Sequence, residues 1–199
     1  MIIHNIEFLE EDTELFPDGS VHEATLAQDT IIQGIPCAGN RSVVFYPSGQ
    51  LKLCWLSSIT ILNNIPCENN LVYLHENGRL WNVSLAADRQ INEVLHSSGS
   101  RLTFDETGEL LEYSQFLDRD QWIEGLPCSS QFFVWRYASG RPSVIVLSSN
   151  HVINGEEYPR GAKIFLNEDG EIIDRQLLNL DSAHRYKQQV SGIFEINWS

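Results

Sequence analysis

The sequence has few basic residues. Thirteen Lys and Arg stand against 27 Asp and Glu, which gives a formal net charge of −14 over 199 residues. The densest basic segment holds only Arg185 and Lys187. Because nucleic acids and anionic membrane surfaces are bound by clustered positive charge, we expect neither as a partner. An acidic chain is compatible with a basic partner or a cation.

Long apolar runs are also missing. No stretch approaches the roughly 18 apolar residues that indicate a membrane span. Residues 1–12 are acidic and lack the basic and apolar regions of a signal peptide, so we expect a cytoplasmic protein. The four cysteines (Cys37, Cys54, Cys67 and Cys128) do not form a disulfide framework in a chain of this length, and we expect them to be reduced.

Catalytic signatures are absent as well. The sequence contains no GxSxG, P-loop, GxGxxG or HExxH motif. With 27 acidic residues, pairs of carboxylates occur by chance and indicate nothing about glycoside hydrolysis. We therefore predict no catalytic residue and no cofactor, and we lean against an enzyme.

What the sequence does contain is a repeat of about 30 residues. Six glycines anchor it, each at the end of a short polar segment: Gly19, Gly49, Gly78, Gly108, Gly140 and Gly170. By subtraction their spacings are 30, 29, 30, 32 and 30 residues. Because glycine accepts positive φ, each segment predicts a tight turn.

Apolar residues keep phase with these glycines. Six before the glycine come Val43, Val72, Leu102, Val134 and Ile164, and four before come Leu15, Phe45, Leu74, Phe104 and Leu166. Two after come Val21, Leu51, Leu80, Leu110 and Ile172; seven after come Leu26, Leu56, Leu85, Leu147 and Leu177, with copy four slipping by one to Phe116. Since residues two apart share one face of a strand, each glycine turn is predicted to join two strands of a hairpin.

A second recurring sequence element lies midway between the glycines. It reads Ile35-Pro36-Cys37, Ile65-Pro66-Cys67 and Leu126-Pro127-Cys128. Because proline lacks a ladder donor, we expect a loop or a strand edge there. Each copy then reads strand, short aliphatic strand, Pro turn, strand, Gly turn. The best helix candidate is 177–189, and 193–198 alternates like a closing strand.

These patterns predict an all-β fold of about six tandem hairpin repeats, forming an elongated or rolled antiparallel sheet, with a β-solenoid as the alternative. No composition break divides the copies, so we expect a single repeat-built domain over 1–199. The repeats span about 16–45, 46–74, 75–104, 105–136, 137–166 and 167–180 (partial), with capping ends at 1–15 and 181–199.

The runs Val43–Lys52 and Leu71–Leu80 resemble bacterial MORN-like hairpin-repeat proteins, in which an aromatic strand, a small-polar-Gly turn and an apolar return recur. The Gly-Ile-Pro-Cys element and the spacing near 30 depart from the shorter MORN unit. The resemblance implies a β-sheet that serves as a scaffold or binding surface, without catalytic residues.

Three cysteines share one repeat position: Cys37, Cys67 and Cys128. A row of thiols is a form that a soft-metal site takes. The copies without Cys, the lack of a CxxC pair and the scatter of the histidines favour buried structural cysteines instead, so we predict no metal site.

Tryptophan is abundant, at Trp55, Trp81, Trp122, Trp135 and Trp198. An exposed indole offers a large flat face and one donor to a sugar or peptide, and the alternative is packing in the core or between repeats. We take Trp55, Trp81, Trp122 and Trp135 as candidate binding residues. The predicted function is a non-enzymatic binding or scaffold protein with a protein partner or self-association, and the alternative is a hydrolase with a site of acidic and aromatic residues.

Overall fold

A computed structural model describes residues 2–3, 6–9 and 13–178. In this part of the chain, strands and tight turns make up the regular structure and no helix is present. Internal contacts divide the chain into two compact units, Met1–Tyr113 (unit 1) and Ser114–Ser199 (unit 2).

Unit 1 contains long strands of the repeat and short strands between them. In chain order they are β1 (Ile2–Ile3), β2 (Ile6–Glu7), β3 (Glu14–Leu15), β4 (Val21–Thr25), β5 (Thr30–Ile32), β6 (Ile35–Cys37), β7 (Ser42–Phe45), β8 (Leu51–Trp55), β9 (Thr60–Leu62), β10 (Ile65–Cys67), β11 (Leu71–Leu74), β12 (Leu80–Ser84), β13 (Arg89–Ile91), β14 (Val94–His96) and β15 (Arg101–Phe104).

Strand β16 (Leu110–Phe116) contains the boundary between the units. Unit 2 continues with β17 (Gln121–Ile123), β18 (Leu126–Cys128), β19 (Phe133–Tyr137), β20 (Pro142–Val146), β21 (His151–Ile153), β22 (Glu156–Tyr158), β23 (Ala162–Leu166) and β24 (Ile172–Leu177).

Two kinds of hairpin alternate along the chain. In unit 1 the long strands pair in the order β3-β4-β7-β8-β11-β12-β15, while β5–β6, β9–β10 and β13–β14 form separate two-stranded hairpins. In unit 2 the long strands pair in the order β19-β20-β23-β24, with β17–β18 and β21–β22 as the short hairpins. These pairs are antiparallel. The prediction of an all-β fold of tandem hairpins is confirmed, and the β-solenoid alternative, which stacks parallel strands, is wrong.

The long hairpins turn at the six predicted glycines. Each of them has positive φ, between 80° and 90°. At Gly49 the N–H donates to the Tyr46 carbonyl at 2.8 Å, and the Tyr46 N–H donates to the Gln50 carbonyl at 2.8 Å. The strand register shifts by one residue beside this turn, between Val44 and Phe45. This is a three-residue turn whose last residue occupies a bulge in the left-handed region, which explains the glycine.

The short hairpins turn two residues earlier than the Pro turn predicted from the sequence. Their two central residues both have positive φ, as in Gln33-Gly34 and Asn63-Asn64, which defines a two-residue hairpin turn. The Ile-Pro-Cys element is the returning strand, with Pro36 opposite Ile31. Because bonded and non-bonded pairs alternate in an antiparallel ladder, Pro36 takes a non-bonded position and costs no hydrogen bond within the hairpin. The expected strand edge is confirmed and the expected turn at Pro is wrong.

Within each unit a core lies between the long strands and the short hairpins. In unit 1 the predicted long-strand positions Val43, Val72 and Leu102 are fully buried, and so are Cys37 and Cys67 of the short hairpins. In unit 2 one buried cluster joins long-strand residues to short-hairpin residues: Val134, Ile145, Ile164 and Leu166 with Ile123, Cys128 and Tyr158.

Three of the apolar residues that keep phase with the glycines are exposed. Phe116, to which copy four slips by one in the sequence pattern, is 42% exposed and stacks on Phe133, with ring centroids 3.8 Å apart. Leu117 takes the core position instead, since the two extra residues of copy four lengthen β16. Leu15 and Leu177 are 50% and 71% exposed, since each lies in an outermost described strand of its sheet.

Side chains join successive long hairpins and successive copies. The Tyr46 hydroxyl beside one glycine turn donates to the Leu74 carbonyl beside the next turn at 2.9 Å, and the Tyr137 hydroxyl donates in the same way to the Leu166 carbonyl at 2.7 Å. The Gln33 amide of a short-hairpin turn accepts from the Leu51 N–H of the next copy at 3.0 Å. Neighbouring copies therefore share polar bonds as well as apolar contact, as expected for a repeat protein.

The ends of the chain are described only in part. Strands β1 and β2 pair, and Phe8 makes to Leu26 the bridge that Cys37 makes to Leu56, so the expected capping end contains a further short hairpin. The helix candidate 177–189 begins inside β24 at Leu177, and its remainder beyond residue 178 lies outside the described residues, as do the strand candidate 193–198, Trp198 and the capping end 181–199.

Candidate functional site

The four candidate tryptophans do not form one site. Trp55 and Trp81 lie in unit 1, on the face of the long-strand sheet that points away from the core, and both are half-buried. In unit 2, Trp135 lies on the equivalent outer face of β19, whereas Trp122 lies on the outer side of a short hairpin. The residues adjacent to these two, Val134 and Ile123, belong to the core of unit 2, so Trp135 and Trp122 point to opposite sides of it.

The outer sheet face of unit 1 is covered by its own side chains. The Arg41 guanidinium lies 4.8 Å from the centre of the Trp55 ring. Trp81 packs edge-on against Tyr73, with ring centroids 5.6 Å apart, and lies 5.9 Å from the His75 ring. Burial raises the pKa of the Tyr73 hydroxyl. Trp55 and Trp81 thus have packing partners on this face.

The short hairpins of unit 1 carry the most exposed apolar side chains. We call this surface the hairpin face of unit 1 and define it by Ile31, Pro36, Ile59, Ile61, Pro66 and Leu95. Ile31 and Ile61 occupy the same position in successive copies and are both 72% exposed. Their cross-strand partners are Pro36 and Pro66.

Copy three continues the hairpin face in modified form. Gln90 stands where the earlier copies have isoleucine, and its cross-strand partner Leu95 is 65% exposed. An apolar side chain is therefore presented once per copy over three successive copies. Contiguous patches of exposed apolar side chains, unlike single ones, are typical of interaction surfaces.

Copy two departs from the other copies beside this face. In four copies an Asp or Asn precedes the short hairpin, and its Oδ1 accepts the backbone N–H ten residues later, at 2.8 to 2.9 Å: Asp29 from Gly39, Asp88 from Ser98, Asp120 from Ser130 and Asn150 from Arg160. Copy two has Ile59 at this position, 67% exposed. The substitution replaces a loop-capping side chain by exposed apolar surface next to Ile61.

The short hairpins of unit 2 also present apolar residues outward. Trp122 and Val152, at the position of Ile31 and Ile61, are 65% and 55% exposed. The Trp122 ring packs edge-on against His151, with centroids 5.4 Å apart. His151 in turn lines a cavity of about 500 Å³ together with Asn150, Val152, Glu157, Tyr158 and Pro159. Trp122 is thus the one sequence-predicted residue that the structure leaves largely exposed.

The row of cysteines belongs to the core. All four cysteines are free and buried. Burial raises the pKa of Cys67 and of Cys128 to about 11, so both stay protonated near neutral pH. Beside Cys37, the pKa of the buried Cys54 thiol is raised. Among the described residues, no three His, Cys, Asp or Glu side chains come together in the way that a metal ion would need.

Sequence reasoning missed Ile31, Ile61 and Val152 because Ile31-Ile32 and Val152-Ile153 read as buried aliphatic strands. An alignment of the copies shows that these residues share one repeat position. Ile31, Ile61 and Val152 each lie twelve residues after their glycine, and Trp122 lies fourteen residues after Gly108 because copy four carries two extra residues.

In the part of the chain that the structure describes, no helix is long and apolar enough to cross a membrane. The chain matches no family model, no curated protein and no solved structure.

Proposed function

We propose that this protein is a non-enzymatic binding or scaffold protein that presents the outer side of its short hairpins to a protein partner. The observation that carries the proposal is the exposed apolar side chain at one repeat position, with Ile31 and Ile61 in unit 1 and Trp122 in unit 2. Exposing such side chains to water is unfavourable unless a partner covers them.

The composition and the repeat support this role. Stacked copies share their core with their neighbours and leave one outer side chain per copy free to vary. The resemblance to MORN-like repeats implies a scaffold of the same kind. Four reduced cysteines favour the cytoplasm as the compartment.

The hydrolase alternative requires acidic and aromatic side chains that converge in a cleft. The cavity beside Trp122 is the strongest candidate for such a cleft. Glycoside hydrolysis needs two carboxylates a defined distance apart, and Glu157 is the one carboxylate among the described residues that line this cavity. The binding role therefore has the better support.

A pull-down tests the proposal. The purified full chain serves as bait in native cell extract, and captured proteins are identified by mass spectrometry. The variants are Ile31→Thr with Ile61→Thr, Trp122→Ala, and the control Ile173→Thr, which changes an isoleucine that is 64% exposed on β24. The proposal expects a partner that the control retains and at least one hairpin variant loses. Partners that persist in both hairpin variants, or no partner at any salt concentration, would refute it.

A further inference from the structure

The charge and the geometry of the hairpin face of unit 1 indicate which kind of protein segment could bind there. We infer that this face binds an amphipathic α-helix with apolar side chains seven residues apart and basic residues along their flanks. The inference rests on the proposed function and names the partner chemistry of that surface.

The spacing of the apolar side chains is the first argument. Each copy contributes two long strands to the sheet, and each short hairpin is tied to the following copy, as where the Pro36 carbonyl accepts the Ser57 N–H at 2.9 Å. Since neighbouring strands lie about 4.8 Å apart, Ile31 and Ile61 recur at a step of about 10 Å. Leu95 continues the row one copy further on, displaced to the partner strand.

A helix matches this step and an extended strand does not. Seven residues of an α-helix rise about 10.5 Å and return to nearly the same face. Three residues of a strand also span about 10 Å, but the third neighbour points to the opposite face. Two or four strand residues, which do share a face, span about 7 or 13 Å. Only the helix therefore places successive apolar side chains over Ile31, Ile61 and Leu95.

Hydrogen bonding argues in the same direction. An extended segment would be recruited through the free edge of a strand. In the short hairpins of copies one and two, the returning strand carries proline, and its carbonyl already accepts a bond from the next copy, Pro36 from Ser57 and Pro66 from Ala86. The hairpin face thus recognises side chains rather than backbone.

The charges around the face select a basic partner. The short hairpins of unit 1 and the residues next to them carry Asp29, Glu68, Asp88, Glu93 and a single basic residue, Arg89. The whole chain has a formal charge of −14. A second copy of this acidic chain would meet like charge around the apolar row, whereas Lys or Arg beside the apolar side chains of a helix would meet opposite charge.

The area of the face agrees with a helix rather than with a dimer. Four side chains, Ile31, Ile59, Ile61 and Leu95, carry its exposed apolar surface, and each is 65% to 72% exposed. A stable interface between globular partners takes about 20 to 30 residues on each side. A helix of four to five turns covers a row of three copies, which is about 20 Å long.

The test uses three fluorescent synthetic peptides of about 18 residues, measured by anisotropy with the full-length protein. The first has leucines seven residues apart on one helical face and lysines on its flanks. The second has the same composition with leucines at every other residue, which favours a strand. The third replaces lysine by glutamate. The inference expects binding of the first peptide, with an affinity at least about tenfold higher than that of either control peptide.

Two protein variants complete the test. Ile31→Thr with Ile61→Thr keeps β-branched residues in the strands and removes two apolar contacts, so affinity for the first peptide is expected to fall about tenfold or more. Ile173→Thr, on the exposed side of β24, is expected to leave it unchanged. Equal binding of the lysine peptides, or equal binding by both variants, would overturn the inference.

Sedimentation and the pull-down separate the remaining outcomes. Sedimentation measures whether the protein dimerises. A dimer that dissociates in the Ile31→Thr, Ile61→Thr double variant would assign the face to a second copy and overturn the helix inference. If the pull-down yields a partner that depends on the hairpin face but only the strand-patterned peptide binds, the helix inference fails while the proposed function stands. If the captured partners depend neither on the hairpin face nor on Trp122, the proposed function fails together with the helix inference.

Discussion

The long and the short hairpins of unit 1 share one core but differ in what they show to solvent. On the outer face of the long strands, Trp55 and Trp81 are half-buried and packed against Arg41 and Tyr73. On the outer side of the short hairpins, Ile31 and Ile61 are 72% exposed. Both kinds of hairpin contribute to the core, so the contrast concerns their outer sides alone, and it is the basis of the proposed division of labour, in which the outer side of the short hairpins serves for recognition.

The largest expected effect contrasts the two kinds of hairpin directly. Leu102 on the inner face of β15 is fully buried, and Leu102→Ala should lower the free energy of unfolding by about 3 kcal/mol through lost burial and a cavity. Ile61→Ala on β9 should change it by no more than about 0.5 kcal/mol, since that side chain is mostly exposed. Urea unfolding of both variants measures the difference. A larger loss for Ile61→Ala would reverse the division of labour.

The next effect concerns the long-hairpin turns. Gly78 has φ of +80°, so Gly78→Val strains a β-branched residue and should cost about 2 kcal/mol. Gly78→Asn should cost clearly less, because asparagine tolerates this region of φ. Melting curves of the two variants check the order. An unchanged melting temperature for Gly78→Val would contradict the turn.

The sequence predicts the long hairpins well because their two signals are local. A glycine at positive φ and apolar residues two apart each follow from a few neighbouring positions, so Gly78, Val72 and Leu74 could be assigned without a structure. The pairing of β9 with β10 was harder, because Pro66 in the returning strand reads as a turn until the ladder shows it at a non-bonded position.

The candidate site was predicted less well, for a physical reason. A run of two aliphatic residues in a short strand does not say which of them faces the core. Ile32 is buried and Ile31 is exposed, and only the position of the turn at Gln33-Gly34 decides between them. Among the tryptophans, exposure depends on contacts with distant residues, as where Arg41 covers Trp55.

A smaller effect sharpens the comparison at the loops that precede the short hairpins. Asp29→Ala should lower the free energy of unfolding by about 1 kcal/mol, because it removes the loop bond to the Gly39 N–H in copy one. Ile59→Ala should change it by no more than about 0.5 kcal/mol, because Ile59 is mostly exposed and the loop between β10 and β11 is one residue shorter than the loop between β6 and β7. Urea unfolding tests both. A loss in Ile59→Ala as large as that in Asp29→Ala would show that Ile59 supports the fold rather than the exposed surface.

The smallest effect is a pH dependence. His96 occupies the cysteine position of copy three, is fully buried, and burial lowers its pKa below 6.5. As the pH falls towards 5.5, His96 therefore binds a proton more readily in the unfolded chain than in the folded chain. The free energy of unfolding falls between pH 7.5 and 5.5 as a result. His96→Cys should flatten this dependence in urea titrations. An equally steep fall in that variant would assign it to other groups.

Hydrogen exchange with mass spectrometry tests the division of labour most directly, comparing the free protein with the protein bound to its captured partner. We predict that segments 28–37 and 57–67, which contain the short hairpins of copies one and two, gain protection on binding, while the long strands β8, β11 and β12 exchange as slowly as before. New protection confined to the long strands, with the short hairpins unchanged, would contradict the account.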